Sequence, residues 1–530
     1  MVGWAAHEHA ASRSRGSSRG EWAPLMQSPN DLNVGLLSTD VTLPTGASKL
    51  RYVARPGRAP PVARRAARWV FAAWLSGCGA APGSRLPNEA TEPVDPDRFV
   101  LLTRFVHISD AQIVDEESPG RLAAVAQFAA NASAKAWRPH EAYSTQLLDG
   151  MVRAINKLHV ARYPIDFVIH TGDATDNAQN NELDWFITVL DGGPVDPRSG
   201  PDDRDPAVRP APLLDPHHPF EAQGLYRHGV HGDAPTIPWY GLLGNHDRFA
   251  VGVFPIVTDL LGRRISPLSS TPRLGIFLPV ALDPTGFLSW GPITPAHPGP
   301  PAEYNLPQRV QANPARRFMT NRDFIAAHLA STTEPPGHGF GAADPQGTSY
   351  SVTPVPGVRL IGLNSASPLL EIPALAYSEG AMSPAQKRFL KGELTRAERR
   401  GEIVIVATHH PSSTLDVTLG TALTESSLVR LLNAHPAVKV HLAGHLHEHV
   451  VLDRGNYLEI TTGSVIDAPQ EGRIIEIWRE RQNTEVELRY WTFSHMEEVE
   501  APDGGDAGLF DDPLLPMRRV AAELAGTGSR

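Results

Sequence analysis

The chain has 530 residues, 41% of them hydrophobic and 20% charged, with 48 Lys and Arg against 58 Asp and Glu for a formal net charge of -10. Such a composition excludes a disordered chain, gives ample material for a core, and through its acidic balance argues against a nucleic-acid surface. Any attraction for phosphate must therefore be local, and bound cations would supply it. The single cysteine, Cys78, excludes an intramolecular disulfide and a cysteine-based metal site.

Residues 1–61 are rich in Ser, Arg, Gly, Pro and Ala without sustained periodicity, which predicts a disordered or untranslated leader. Arg64, Arg65 and Arg68 then precede an apolar stretch over 69–75, and Ser76, Gly77 and Cys78 follow. This order of basic, apolar and small residues over 62–78 resembles a bacterial lipoprotein signal with Cys78 as the lipidated residue. The other reading is a small-residue linker with a lone Cys, and the mass of the native N-terminus distinguishes the two. The apolar run is too short to span a bilayer, which takes about 20 residues. A signal at this position would need translation to start downstream of Met1, for example at Val62. The lipoprotein reading places the protein in the cell envelope, periplasmic or extracellular, touching the membrane only through a lipid anchor; the linker reading leaves it cytoplasmic. Residues 79–98 read as a Pro-rich tether.

From Phe99 to about residue 495 the pattern is that of a globular domain. A strand-like run from Leu101 ends in Ser109, Asp110, Ala111 and Gln112. Leu147, Leu148, Met151, Val152, Ile155 and Leu158 recur at helical spacing and predict an amphipathic helix. It leads into a second strand over 165–170 that breaks at Gly172 and presents Asp173, a strand-helix-strand unit that implies parallel pairing. A second helix is predicted around Leu183, Phe186, Ile187 and Leu190. Residues 191–235 are dense in Pro, Asp, Gly and His, and 255–347 in Pro; neither sustains a regular pattern. Both are predicted to be insertions that roof the strand ends and select the substrate. His217, His218, His228 and His231 in the first of them belong either to a lid or to a solvated loop. Between the insertions another apolar run ends in Gly244 and delivers Asn245, His246 and Asp247.

Regular patterning returns with strands over 349–353 and 358–363. A helix follows from Ser383, placed as N-cap before Pro384, to about Arg399. A strand over 403–407 ends in His409, His410 and Pro411, and a helix is predicted over 425–434. The next strand, from Val438, reaches Gly444, where the backbone can turn, and is followed by His445, His447 and His449 at alternate positions. Alone, this pattern only suggests a metal site, since the alternation also fits a surface hairpin. Strand-like runs over 457–462, 473–478 and 485–493 are predicted to close a second sheet, and 496–530 to form a tail with a short helix. His107 and His170, within strands, read as core residues, and His449 as a supporting or exposed group.

Five apolar strands, each followed at once by hard or borderline metal ligands, are hard to obtain from packing alone. The succession Asp110, Gly172-Asp173, Gly244-Asn245-His246-Asp247, His409-His410-Pro411 and Gly444-His445-x-His447 resembles the calcineurin-like metallophosphoesterases over roughly residues 100–493. The resemblance implies an α/β fold of two facing mixed β-sheets flanked by helices, with a dinuclear metal site built from loops at the strand ends. It implies that Asp173 bridges two divalent ions, that Asp110 and His447 bind the first with Gln112, and that Asn245, His409 and His445 bind the second. His246 would protonate the leaving oxygen or steady the phosphate, with Asp247 to orient it. Asn177, Arg248 and His410 are candidates for contact with substrate, or are loop and structural residues.

One position departs from the family pattern, which usually has His two residues after the first Asp, where this chain has Gln112. A similar Asp-x-Gln variant occurs among manganese-dependent ADP-ribose and CDP-alcohol diphosphatases and in a bacterial branch that the stretches HISDAQIVDEESPGR and EITTGSVIDAPQEGR also resemble. An amide oxygen is a neutral, hard donor, which favours Mn2+ over Fe or Zn. The alternative is that Gln112 does not bind and a water stands in its place. Two ions about 3.5–4 Å apart clamp phosphate oxygens and lower the pKa of a bridging water. Two carboxylates do not neutralise two divalent ions, so such a site stays cationic. The expected activity is hydrolysis of a small-molecule phosphoester or nucleotide-type diphosphate by the metal-bridging hydroxide. Its rival is a non-catalytic, metal-dependent phosphate-binding or interaction protein.

Overall fold

The structure, a computed structural model, describes residues 46–50, 94–118, 138, 140–200, 215–226, 237–268, 280–282, 284, 312–341, 347–368, 377–482, 485–497, 499–502 and 507–528. All of them lie within one compact unit, Asp40–Arg530. Cys78 and the basic and apolar stretch before it fall outside the described residues. Among those described, no helix is long and apolar enough to cross a membrane.

The chain begins on one sheet with β1 (Phe99–Ile108), β2 (Phe167–His170) and β3 (Trp239–Gly241), which pair in parallel in that order. Phe105 stands opposite Phe167 in the register, and their rings stack at 4.8 Å. The crossover from β1 to β2 runs through α1 (Ser144–Ala161), whose predicted apolar face is buried, and that from β2 to β3 through α2 (Asn180–Asp191). The chain then builds a second sheet from β4 (Tyr350–Val355), β5 (Val358–Leu363), β6 (Ile403–Thr408), β7 (Val438–Ala443), β8 (Val450–Asp453) and β9 (Leu458–Thr461). β5, β6, β7 and β9 are parallel, while β4 and β8 are the antiparallel edges.

The last two strands, β10 (Glu471–Glu480) and β11 (Val486–Ser494), correct the expectation that they close the second sheet. β10 runs antiparallel to β1, with Ile474 opposite Val106, and β11 is its hairpin partner. The physical reason is that β8 already occupies the edge beside β9, whereas β1 has an unpaired side. β10 is buried on both faces from Gly472 to Ile477 and suits an interior position. Five residues of the leader, Gly46–Leu50, add a strand on β11.

Alternation along the strands sorts the core. Ile405, Val440 and Ile460 of the second sheet share one cluster with Phe105, Ile108 and Phe167 of the first, so the sheets face each other across it. Val404 and Val406 point the other way, onto Leu390, Leu394, Leu428 and Leu432 of the covering helices, Pro384–Arg400 and Glu425–Asn433. Each such fully buried side chain contributes roughly 1.5–3 kcal/mol. The cap predicted at Ser383 is present: its Oγ accepts from Gln386 N. The tail is more ordered than its composition suggests, because the helix Leu515–Gly528 buries Met517 and Ala521 with Leu147 and lays Arg518 along Gly150 of α1. The second insertion likewise carries regular structure, including a helix, Asn321–Ala330, capped by Thr320 and Asp323.

Both insertions are hooked onto the segment that follows Gln112. Ser199 N and Gly200 N donate to Glu117 Oε2 at 2.7 and 2.6 Å, and Ser199 Oγ donates to Asp115 Oδ1 at 2.6 Å. From the second insertion Arg316 Nε reaches Asp115 Oδ2 at 3.0 Å, and Asn313 Nδ2 donates to Ser199 O at 2.6 Å. The His217 ring bonds to Glu116, and both are buried. His217 therefore belongs to an anchor, and not to a solvated loop. Burial opposes its charge, but the Glu116 carboxylate outweighs burial and raises its pKa to about 9. Because the folded value lies above the unfolded one, this stabilisation is full below the unfolded pKa and is lost as pH rises through about 9. Thermal melts taken from about pH 7 to about pH 10 should fall more steeply for the wild type than for His217→Gln. Parallel curves would show that the pair contributes nothing.

Candidate metal centre

The site lies where β1, β2, β3, β6 and β7 end. Beyond β1 the chain is locked to the loop after β2: Asp110 N donates to Gly172 O at 3.0 Å and Gln112 N to Asp173 O at 2.9 Å. Asp110, Gln112, Asp173, His445 and His447 all have φ between 39° and 69°. Left-handed backbone costs a non-glycine residue about 1–3 kcal/mol, so five such residues at one place mark a site whose surroundings over-determine it. Two glycines make the close approach possible. A Cβ on Gly244 would collide with the Asp173 carboxylate, and one on Gly444 with Ser109 Oγ and the Asp110 carboxylate.

The donor atoms converge between the sheets. Asp110 Oδ1 lies 3.2 Å from His447 Nε2 and 4.0 Å from His409 Nε2. Although buried, this oxygen has no hydrogen-bond partner, whereas Oδ2 accepts from His445 N at 2.9 Å. Asp173 Oδ2 lies 3.2 Å from His409 Nε2, and its Oδ1 accepts from His246 N at 2.8 Å. His409 Nδ1 donates to Thr171 O at 2.9 Å, which points Nε2 into the site. Asn245 Nδ2 donates to Gly252 O at 2.9 Å, which turns Oδ1 inward to 3.0 Å from His409 Nε2. His447 Nδ1 bonds to Asp467 Oδ2 at 2.5 Å, the arrangement by which a carboxylate fixes a metal-binding imidazole. The ligand atoms of Asp110, Asp173 and His409 lie within 4.8 Å of one another, as do those of His409, His410 and His445.

The electrostatics are those of a cation site. Burial raises the carboxyl pKa of Asp110 and Asp173, yet the neighbouring imidazoles, His447 and His409 for the first and His409 for the second, hold both below their ordinary value. Burial likewise works against charge on His409, but Asp173 and Asp110 push it up to about 9. The pocket thus draws a proton onto an imidazole to balance its carboxylates. Two divalent cations fit the same place: two carboxylates, inward-facing imidazoles and an amide oxygen are the donors they take, and Asp110 Oδ1 is a buried oxygen that takes no hydrogen bond.

The structure therefore brings together Asp110, Asp173, Asn245, His409, His445 and His447 as the sequence predicts. It corrects Gln112, whose Oε1 accepts from Arg138 Nη2 at 2.5 Å, while Nε2 lies 3.4 Å from both Asp173 Oδ2 and His447 Nε2. The atom that would bind metal is turned away. It also corrects Asp247, which does not orient His246. Its carboxylate accepts from Thr175 N and Gly244 N, both at 2.9 Å, and so braces the loop. The His246 ring is held instead through Nδ1, which donates to Asp176 O at 2.6 Å. The three substrate candidates are engaged within the protein. Asn177 Oδ1 accepts from Val251 N at 2.6 Å, and Arg248 Nη1 donates to Ala366 O at 2.6 Å. His410 uses both ring nitrogens, Nδ1 with Ser365 Oγ at 2.8 Å and Nε2 with Ser378 O at 3.1 Å, and burial lowers its pKa to about 3. His107 and His170 are buried, as core residues should be.

Arg138, Asp176 and Asp467 were missed. Asp467 sits in a loop two residues before Pro469, within the stretch EITTGSVIDAPQEGR whose resemblance gave this residue no role, and Arg138 lies in a stretch with no periodicity.

No protein-family model matches the chain. A manganese-dependent ADP-ribose/CDP-alcohol diphosphatase from Xenopus tropicalis is 31% identical over 115 residues, which is 21% of this chain and 33% of that protein. The chain thus spans about a third of the length of the curated relative it matches. Among solved structures, a dimetal phosphatase from Danio rerio aligns at 14% identity and a TM-score of 0.36, over 73% of this chain and 99% of that one.

Proposed function

We propose that the protein hydrolyses a phosphoester at a pair of divalent cations, and that its substrate is a small molecule of the nucleotide-type diphosphate class. The observation that carries this reading is the convergence of Asp110, Asp173 and His409, which arrive from β1, β2 and β6, around a buried carboxylate oxygen that takes no hydrogen bond. The partial sequence similarity to a manganese-dependent diphosphatase supports both the substrate class and Mn2+ as the ion.

The cations would neutralise phosphate charge and lower the pKa of a water between them. Asp173 would touch both, since a carboxylate has two oxygens; Asp110 and His447 would hold one, and Asn245, His409 and His445 the other. Rigid backbone contacts keep these groups in place, so little reorganisation accompanies reaction. His246 Nδ1 is committed to Asp176 O, which leaves Nε2 as the atom that gives a proton to the departing oxygen.

The test uses the full chain with Mn2+, offered a phosphomonoester, a phosphodiester and an ADP-ribose-like diphosphate. Turnover of the diphosphate above the other two is expected. His246→Gln should lower kcat by about 10^2-fold or more while leaving the bound metal unchanged. Two ions per chain without turnover of any substrate would favour the phosphate-binding alternative.

A further inference from the structure

Among the described residues three large apolar side chains stand exposed, Leu260, Leu261 and Val417, and the first two are neighbours in the second insertion. Leu260 is fully exposed and Leu261 is 75% exposed. They cap the turn between the antiparallel strands Val257–Thr258 and Arg264–Leu268, the second of which also pairs with Val280–Leu282. The turn is tied to itself. Asp259 Oδ1 accepts from Leu261 N and Arg263 N, both at 2.9 Å, and its Oδ2 accepts from Arg263 Nε at 2.8 Å. Gly262 N donates to Asp259 O at 3.0 Å, and Asp259 N to Arg263 O at 2.9 Å. A lone apolar side chain on a surface is ordinary, but here two are held out in water side by side on a braced point.

The charge around this point is opposite to that of the chain. Arg264 Nη1 donates to Phe318 O at 2.8 Å and to Asp323 Oδ2 at 2.5 Å, which joins the hairpin to the start of the helix Asn321–Ala330. Arg317 lies 3.7 Å from the same carboxylate, and both it and Arg322 are exposed. Arg263, Arg264, Arg317 and Arg322 outnumber Asp259 and Asp323, so the place is locally cationic on a chain whose net charge is -10.

We propose that this tip docks on a bilayer of anionic lipids, with Leu260 and Leu261 entering the headgroup boundary and the arginines behind them meeting lipid phosphates. The inference stands apart from the two-cation reading and needs no acyl group on Cys78. A point of two leucines suits a fluid interface that closes around it, whereas a protein partner would need a matching pocket. Stripping water from the turn costs little, because the N–H groups of Asp259, Leu261, Gly262 and Arg263 already have partners. An anionic surface repels the rest of an acidic chain, so the tip is the part that approaches it. Apolar burial and basic residues then act together, as either alone binds a membrane weakly.

The experiment is co-sedimentation of the full chain, purified without an acyl group, with vesicles of equal parts phosphatidylglycerol and phosphatidylcholine, beside vesicles of phosphatidylcholine alone. Binding to the anionic vesicles is expected, stronger than to the neutral ones and weakened by salt. Leu260→Ser with Leu261→Ser should lower the partition coefficient by about tenfold or more, since both apolar side chains are removed, and should leave the melting temperature that of wild type. Arg317→Glu with Arg322→Glu reverses the sign of the local charge and should abolish the preference for anionic vesicles. No binding to either vesicle at low salt would overturn the proposal, as would a leucine variant that binds as well as wild type. Light scattering addresses the other occupant. A wild type that dimerises and ignores vesicles, beside a leucine variant that stays monomeric, would show that the tip meets a second copy of the chain and would overturn the proposal too.

Discussion

Asp173→Asn is expected to abolish turnover of whichever phosphoester the wild type hydrolyses and to leave at most one ion per chain. Asparagine has the shape of aspartate, and its carbonyl can still accept from His246 N, as Asp173 Oδ1 does at 2.8 Å. What it lacks is the charge, and a second oxygen to set against His409 Nε2, now 3.2 Å from Asp173 Oδ2. Losing the clamp on a transferring phosphoryl group removes several kcal/mol of transition-state stabilisation, or about 10^3-fold and more in rate. The change also reaches the metal-free protein. His409 holds its proton up to about 9 because burial is outweighed by Asp173 and Asp110, so removing Asp173 lowers that value. Elemental analysis of the purified variant beside its rate checks the expectation. Two retained ions and a rate within tenfold of wild type would mean that Asp173 does not join the cations.

The second large effect is expected from a residue with no functional group. In Gly244→Ala the new Cβ would overlap both the carboxylate and the backbone N of Asp173. A flexible side-chain tip could swing aside, but these atoms are held by the ladder that joins the loops after β1 and β2. The loop of Asn245 and His246 must therefore retreat. Overpacking of this kind costs about 1–3 kcal/mol of stability. A displacement near 1 Å of groups that position a reaction costs about 10^2-fold in rate. Melting temperature and kcat, measured on the same preparation, should thus fall together, and Mn2+ affinity with them. A variant with normal kcat would show that the loops are not clamped at Gly244.

The strands that feed the site were legible because each is an apolar run cut short by a glycine or a ligand. β5, β6 and β7 fall where the β-branched runs place them, and α1 and α2 bury the faces their spacing predicts. The sheet to which a strand belongs was not legible. The sequence of β10 shows that it is apolar on both faces but not that β8 has taken the edge beside β9. Within the site, residue identity showed which groups could bind a cation, because that follows from chemistry. The direction of an amide does not: Gln112 is turned by Arg138, 26 positions away, and Arg138 is held by Asp467, 329 positions away. Asp247 was misread for a similar reason. Beside a histidine in sequence, it spends its carboxylate on Thr175 and Gly244, and the carbonyl of Asp176 does the orienting. Adjacency along a loop is a poor guide to adjacency in space where positive φ reverses the chain.

The division of donors between the sheets bears on how the chain can be assembled. Both buried carboxylates, Asp110 and Asp173, come from the first sheet, while the imidazoles of His409, His445 and His447 come from the second, His445 lying 335 residues after Asp110. During synthesis both carboxylates are made long before the histidines, yet the first sheet is finished only after them, when β10 and β11 add to β1. Each half alone would face an uncompensated cluster of like groups on the surface that should become its core. Neither sheet is therefore a natural unit for expression by itself. Docking the two is an act of mutual neutralisation, so a cation captured by the early half could hold the place of the histidines until they arrive.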